Sequence, residues 1–121
     1  MRTFKESPAF TLCYDLLRWL LPVTQAFPRA QRFVLAQTLN ETAFALHKHL
    51  LGAVHTADVR GSLAQADLAL AQLRTYLRLS YDLQMLGEGS YAHGSRLIND
   101  LGRVVGTWRR SLANPAAELL E

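Results

Sequence analysis

The chain has 121 residues, of which 50% are hydrophobic and 19% are charged, a composition that indicates a globular protein and excludes a disordered one. This length predicts one domain spanning residues 1–121, with a sizeable core. Thirteen Lys and Arg residues exceed ten Asp and Glu residues, and the formal charge of +3 permits a nucleic-acid or acidic partner without establishing either.

The first predicted helix runs from about residue 8 to residue 27. Ser7 is a suitable N-cap and Pro8 a suitable first helical residue. Pro22 lies in the interior, where it removes one hydrogen bond and should kink the helix. Phe10, Leu17, Leu20 and Leu21 face one way, whereas Leu12, Leu16 and Trp19 widen the apolar surface. We therefore expect this helix to be covered on more than one side.

A second helix is predicted from residue 29 to residue 55, after the break at Pro28. Its apolar seam consists of Ala36, Leu39, Ala43, Leu46, Leu50 and Val54. Arg29 and Arg32 stand in the first turn, at the positive end of the helix dipole, where basic residues weaken a helix unless an anion approaches. Both arginines are therefore candidate anion contacts.

The third predicted helix, residues 62–86, carries two apolar lines. One line repeats at steps of three and four residues and predicts a bundle seam: Leu63, Ala66, Leu70, Leu73 and Leu77. Leu68, Leu79 and Leu86 fall nearly opposite and predict an oligomer interface, because a monomer needs only one buried stripe. Arg74 and Arg78 form a basic edge between the lines, where Asp82 is placed to neutralise Arg78 in part.

The fourth predicted helix runs from residue 91 to residue 112, with Gly87 as the preceding stop and Ser90 as its N-cap. Its predicted core residues are Leu97, Ile98, Leu101, Val104, Val105, Trp108 and Leu112. On the opposite face lie three arginines spaced seven residues apart: Arg96, Arg103 and Arg110. Gly102 and Gly106 each cost about 1 kcal/mol relative to Ala in a helix, so close approach of another helix is predicted there.

Four helices with short links and a tail at residues 113–121 predict an all-α fold, an antiparallel up-down-up-down four-helix bundle. Cys13 is the only cysteine, so we expect no intrachain disulfide and a reducing compartment. The N-terminal segment MRTFKESPAF lacks the apolar core of a signal peptide. No apolar stretch nearby is long enough to span a bilayer, and we expect a soluble, cytoplasmic protein without a membrane partner.

The sequence offers no pattern typical of catalysis. No Gly-rich phosphate loop, carboxylate dyad or catalytic triad spacing occurs. His47 and His49 point about 200° apart on a helix, at 100° per residue, whereas a helical zinc pair needs a spacing of three or four. We therefore expect no enzyme activity, no cofactor and no metal.

The arginines are the remaining candidates for function, and two interpretations stay open. They form either a solvated outer face or a surface that binds phosphate backbones without sequence specificity. If copies stack through Leu68, Leu79 and Leu86, the charges would repeat in a ring.

Three segments resemble a known family: LLPVTQAFPRAQRF (20–33), LAQADLALAQLRTYLRL (63–79) and LGRVVGTWRRS (101–111). Over roughly residues 12–112 the chain resembles the four-helix-bundle accessory variability determinant (Avd) proteins of diversity-generating retroelements. A related group, encoded in ribosomal RNA intervening sequences, shares the bundle fold.

The resemblance implies a non-enzymatic partner of a reverse transcriptase, forming a basic, barrel-like homopentamer that also binds template RNA or single-stranded DNA. By position, Arg74 and Arg78 match the LRxxLR arginines, Arg103 matches GRxxG, and Arg29 matches the Pro-Arg pair. The chain has Gly106-Thr107 where the family often has Gly-Gly or Gly-Ser. The alternative is a structural bundle of the intervening-sequence type, whose oligomer scaffolds proteins without binding nucleic acid.

Overall fold

Four helices make up the part of the chain that the computed structural model describes, residues 7–113, with the side chains of Gln31, Arg32 and Ala113 excepted. Helix α1 is Pro8–Gln25, α2 spans 29–55, α3 is Val59–Asp82 and α4 is Glu88–Ala113. Within α2, a π-helical turn at Arg32–Ala36 joins Arg29–Gln31 to Gln37–His55. The predicted tail lies outside the described residues from residue 114 onward. No strand occurs in residues 7–113.

Each helix packs against two others, in the cyclic order α1, α2, α3, α4 and back to α1. The connections are short, at residues 26–28, 56–58 and 83–87, so consecutive helices run antiparallel. This arrangement confirms the predicted all-α four-helix bundle. None of the helices in residues 7–113 is long and apolar enough to cross a membrane.

Helix α1 begins as predicted, because the Ser7 hydroxyl oxygen accepts from the Ala9 backbone N–H (3.2 Å). The predicted apolar surface of α1 is confirmed at Leu16 and Leu20, which are buried, and is wrong at Leu21. The residues that are buried are Ala9, Cys13, Leu16, Leu20 and Thr24. Leu21 is 38% exposed, because small side chains on the buried face let α1 approach its neighbours and leave larger residues on the flank.

The predicted seam of α3 is confirmed, since all five of its residues are buried. The helix begins three residues earlier than predicted, at Val59, because the Asp58 carboxylate accepts from the Gly61 backbone N–H (2.9 Å) and caps it. In α4, Ile98, Leu101, Val105 and Trp108 are buried. The remaining predicted core residues of α4 are partly buried against the same cluster.

The predicted turn between α3 and α4 is wrong. Helix α3 ends at Asp82, and Gln84 adopts a left-handed conformation with φ of 64°. The Met85 N–H donates to the Ser80 carbonyl oxygen (2.8 Å) and the Gln84 N–H to that of Tyr81 (2.9 Å), the two bonds of a Schellman motif. Gly87 does not stop α3. Helix α4 begins at Glu88, so Ser90 is not its N-cap.

Helix α1 packs closely against α4 at Gly94. A Cβ atom there would clash with the Trp19 indole ring and would lie 2.9 Å from Leu77 Cδ2. Sequence reasoning did not single out this glycine, although it is the position in α4 where the bundle requires a missing side chain.

We predict that Gly94→Ala lowers the free energy of unfolding by about 1–2 kcal/mol, because overpacking against a rigid indole outweighs a gain in helix propensity of about 1 kcal/mol. Gly87→Ala is the matched control, since nothing lies within 4 Å of a Cβ there. It should change stability by less than about 0.5 kcal/mol. Urea denaturation measures both, and equal effects of the two substitutions would contradict the close contact.

Candidate nucleic-acid interface

The outer surface formed by α3 and α4 carries every arginine of these two helices. They are Arg60, Arg74 and Arg78 on α3 and Arg96, Arg103, Arg109 and Arg110 on α4. All seven are exposed, and α3 and α4 are neighbours in the bundle. We call this surface the arginine groove.

On the α3 side of the arginine groove, charged residues recur every seven residues along one flank of the helix. Arg60, Asp67 and Arg74 share it, because seven residues bring a helix back to nearly the same direction. Contacts across the groove run along its length: Arg60 Nη2 to the Leu112 carbonyl oxygen (2.7 Å), Arg109 Nη1 to Asp67 Oδ2 (3.1 Å) and Arg74 Nε to Asn99 Oδ1 (3.4 Å). These contacts fix the edge of α3 against α4.

The α4 side presents the predicted row of Arg96, Arg103 and Arg110. Arg103 pairs with Asp100 one turn earlier, and Arg110 Nη2 lies 3.1 Å from Thr107 Oγ1. Arg96 makes no ion pair or hydrogen bond with any part of residues 7–113. The row therefore keeps most of its guanidinium N–H groups available to a ligand.

The arginine groove is electropositive. Helices α3 and α4 together carry seven arginines and four acidic residues (Asp67, Asp82, Glu88 and Asp100), which leaves a formal charge of +3. Arg78 and Asp82 form the predicted i, i+4 pair at 3.7 Å, with side chains 73% and 55% exposed. Exposed pairs of this kind contribute about 0–1 kcal/mol, too little to keep an arginine from a phosphate group.

Gly102 and Gly106 lie beneath the arginine groove. We predicted that another helix approaches closely at these glycines, but within residues 7–113 no helix backbone fills the space above them. A Cβ on Gly102 would lie 2.6 Å from Arg74 Nη2, and one on Gly106 would lie 3.4 Å from Arg110 Nη1. Within residues 7–113, arginine side chains thus account for the close approach at both glycines. Their role in an oligomer interface stays a prediction.

Two of the predicted anion contacts lie elsewhere. Arg29 is exposed in the first turn of α2, and α2 lies diagonally across the bundle from α4. The side chain of Arg32 lies outside the described residues. Sequence reasoning missed Arg60 and Arg109. Arg60 could have been found in the sequence from its spacing of two heptads from Arg74. Arg109 could not, because its place on this surface is shown by its contact with Asp67.

Two further surfaces carry exposed apolar side chains, in addition to the exposed Phe33, Val34 and Leu83. On α3, Leu68 is 54% and Leu79 is 42% exposed, as the second apolar line predicts, whereas Leu86 is partly buried against the core. The second surface, here called the α1–α2 apolar face, consists of Tyr14, Leu21, Phe44 and Leu51. The Thr24 hydroxyl lies 2.9 Å from Asn40 Oδ1, and this register sets Leu21 level with Phe44 and Tyr14 level with Leu51.

The described residues show neither a reactive thiol nor a cluster of metal ligands. Cys13 is fully buried, and desolvation raises its pKa from 9.0 to about 12, so the thiol stays protonated at neutral pH and is a poor nucleophile. Cys13 is thus a small core residue. In the described part of the chain, no three His, Cys, Asp or Glu side chains come together as a metal site requires.

The sequence profile of one protein family, described as bAvd-like, matches residues 10–112. The matched range includes all of α2 and α3, nearly all of α1 and α4, and every residue of the arginine groove. It confirms the family resemblance carried by the three sequence segments. No curated protein matches the chain.

Proposed function

The chain belongs to the bAvd-like family, and on this premise we propose that it is a non-enzymatic accessory protein of a diversity-generating retroelement. In this role it binds the reverse transcriptase of the element and the template RNA or the cDNA. The observation that carries the nucleic-acid part of the proposal is the arginine groove, because it gathers seven arginines from two helices on one side of the bundle.

The geometry of the arginine groove suits a phosphate backbone. Arg60 and Arg78 are 18 residues apart on α3, a distance of about 27 Å along a helix, which is long enough for several consecutive phosphates. Arginine binds phosphate oxygens with two parallel N–H donors. Contacts of this kind position a strand without reading its sequence, as binding of a template during cDNA synthesis requires.

The exposed apolar surfaces support protein contacts in the same role. Leu68 and Leu79 on α3, together with the α1–α2 apolar face, are exposed apolar side chains that a protein partner could cover. We infer a homo-oligomer, and the number five comes from the family resemblance alone. The same surfaces favour the alternative, an oligomeric bundle of the ribosomal intervening-sequence type that scaffolds proteins without nucleic acid.

We predict that Arg74→Ala with Arg78→Ala weakens binding of single-stranded RNA by about tenfold or more and leaves the fold intact, because both side chains are exposed. The salt dependence of the affinity should flatten by about 0.7–0.9 per lost phosphate contact in each bound subunit. Fluorescence anisotropy at several salt concentrations measures both quantities.

The matched control for this pair is Arg18→Ala with Lys48→Ala, which removes two exposed positive charges from α1 and α2. It should change the affinity by less than about twofold. If the two double variants weaken binding equally, only the net charge matters and the arginine groove is not the contact surface.

We predict that Leu68→Glu with Leu79→Glu yields a folded, smaller species by light scattering, because buried carboxylates would oppose assembly. Thr11→Glu with Gln25→Glu adds the same charge at exposed positions of α1 and should leave the wild-type mass. A wild-type protein that is monomeric at micromolar concentration would contradict the oligomer. If only Phe44→Glu with Leu51→Glu reduces the mass, the interface lies on the α1–α2 apolar face instead.

A further inference from the structure

The arginine groove deepens into a cleft where α3 begins and α4 ends. This end cleft has a volume of about 390 Å³ and is lined by Arg60, Gly106, Arg109, Arg110 and Leu112. Its volume lies within the range of small-molecule sites, about 300–1,000 Å³. Three of its five lining residues are arginines, so it is a concave, cationic site.

Each guanidinium group at the end cleft is held by one oxygen atom of the protein. Arg60 donates to the Leu112 carbonyl oxygen (2.7 Å), Arg109 to Asp67 Oδ2 (3.1 Å) and Arg110 to Thr107 Oγ1 (3.1 Å). A guanidinium group has five N–H donors, so each arginine retains several for a ligand. The groups are thus positioned before a ligand arrives, which reduces the entropy lost on binding.

Within residues 7–113, Asp67 is the one carboxylate that pairs with an arginine of the end cleft. Asp67 neutralises Arg109, whereas the oxygens that hold Arg60 and Arg110 belong to a carbonyl group and a hydroxyl group without formal charge. The remaining charge of about two matches a terminal phosphate group, which carries about −1.5 to −2 at pH 7. An internal phosphodiester carries only one negative charge and continues as a chain on both sides.

We propose that the end cleft binds a terminal phosphate group, through Arg60, Arg109 and Arg110. Gly106 contributes an open wall, because it has no side chain to occupy the space beside Arg110. Two sources supply this chemistry, the phosphorylated 5′ end of a nucleic-acid strand and a free diphosphate. The first source rests on the proposed function, whereas the second does not.

Titration calorimetry with inorganic pyrophosphate at constant ionic strength tests the cleft without nucleic acid. Arg110→Gln should weaken pyrophosphate binding about tenfold, as should Arg60→Lys, which keeps the charge but loses the two-pronged donor. The matched control is Arg96→Gln, the same change at an exposed position on the same face of α4, and it should alter the affinity less than about twofold. Far-UV circular dichroism establishes that the variants are folded.

The outcome that overturns the proposal is pyrophosphate binding no tighter than sulfate, or weakened equally by Arg110→Gln and Arg96→Gln. Arg60→Lys retains a cation within reach of Leu112, so the contact between α3 and α4 is kept. If either Arg110→Gln or Arg60→Lys fails to fold, the other variant still tests the proposal. If pyrophosphate binds in the wild type and not in the cleft variants, the cleft is a terminal phosphate site.

Single strands of one sequence with a 5′-phosphate or a 5′-hydroxyl group then identify the source. A preference of about fivefold for the 5′-phosphate that Arg110→Gln abolishes assigns the cleft to strand ends. Pyrophosphate binding without such a preference assigns it to free diphosphate. Strands bound regardless of their ends, with no pyrophosphate binding, overturn the cleft and leave the proposed function standing. If pyrophosphate binds and neither strand does, the cleft stands and the proposed function is overturned.

Discussion

The buried stripe of α3 determines the direction of every other side chain on that helix. Leu63, Leu70, Leu73 and Leu77 are almost completely buried, and each such leucine contributes about 1.5–3 kcal/mol. The exposed ion pairs beside them contribute about 0–1 kcal/mol each. The core therefore sets the rotation of α3, and the charged residues take the directions that remain. The arginine edge faces α4 as a consequence of this rotation.

The same constraint divides the exterior of the bundle into two chemically different sides. Packing in the order α1, α2, α3, α4 sets the α3–α4 groove opposite the α1–α2 groove. One side carries seven arginines and the other carries the α1–α2 apolar face. A protein with this division can contact a phosphate backbone with one side and a protein with the other. At Gly94, α4 packs closely against Trp19 of α1.

Features that depend on periodicity within one helix were predicted correctly from the sequence. Features that depend on packing between two helices, or on the conformation of a turn, were not. The seam of α3 and the arginine row of α4 follow from helical spacing, and both were correct. The buried face of α1 was predicted in part, because apolar size points to Leu21 whereas packing buries Ala9. The turn at Gln84 was missed because glycine is the usual left-handed residue. The end cleft needs the register between α3 and α4, which no single helix reveals.

The measurement that tests the central claim most directly is a map of amide chemical shifts by NMR during titration with a short single-stranded RNA. The account predicts that the shifts concentrate on the outer residues of α3 and α4, from Arg60 to Arg78 and from Arg96 to Arg110, and diminish as salt is added. Shifts concentrated on α1 and α2, or an absence of shifts at low salt, would contradict the assignment of the arginine groove to nucleic acid.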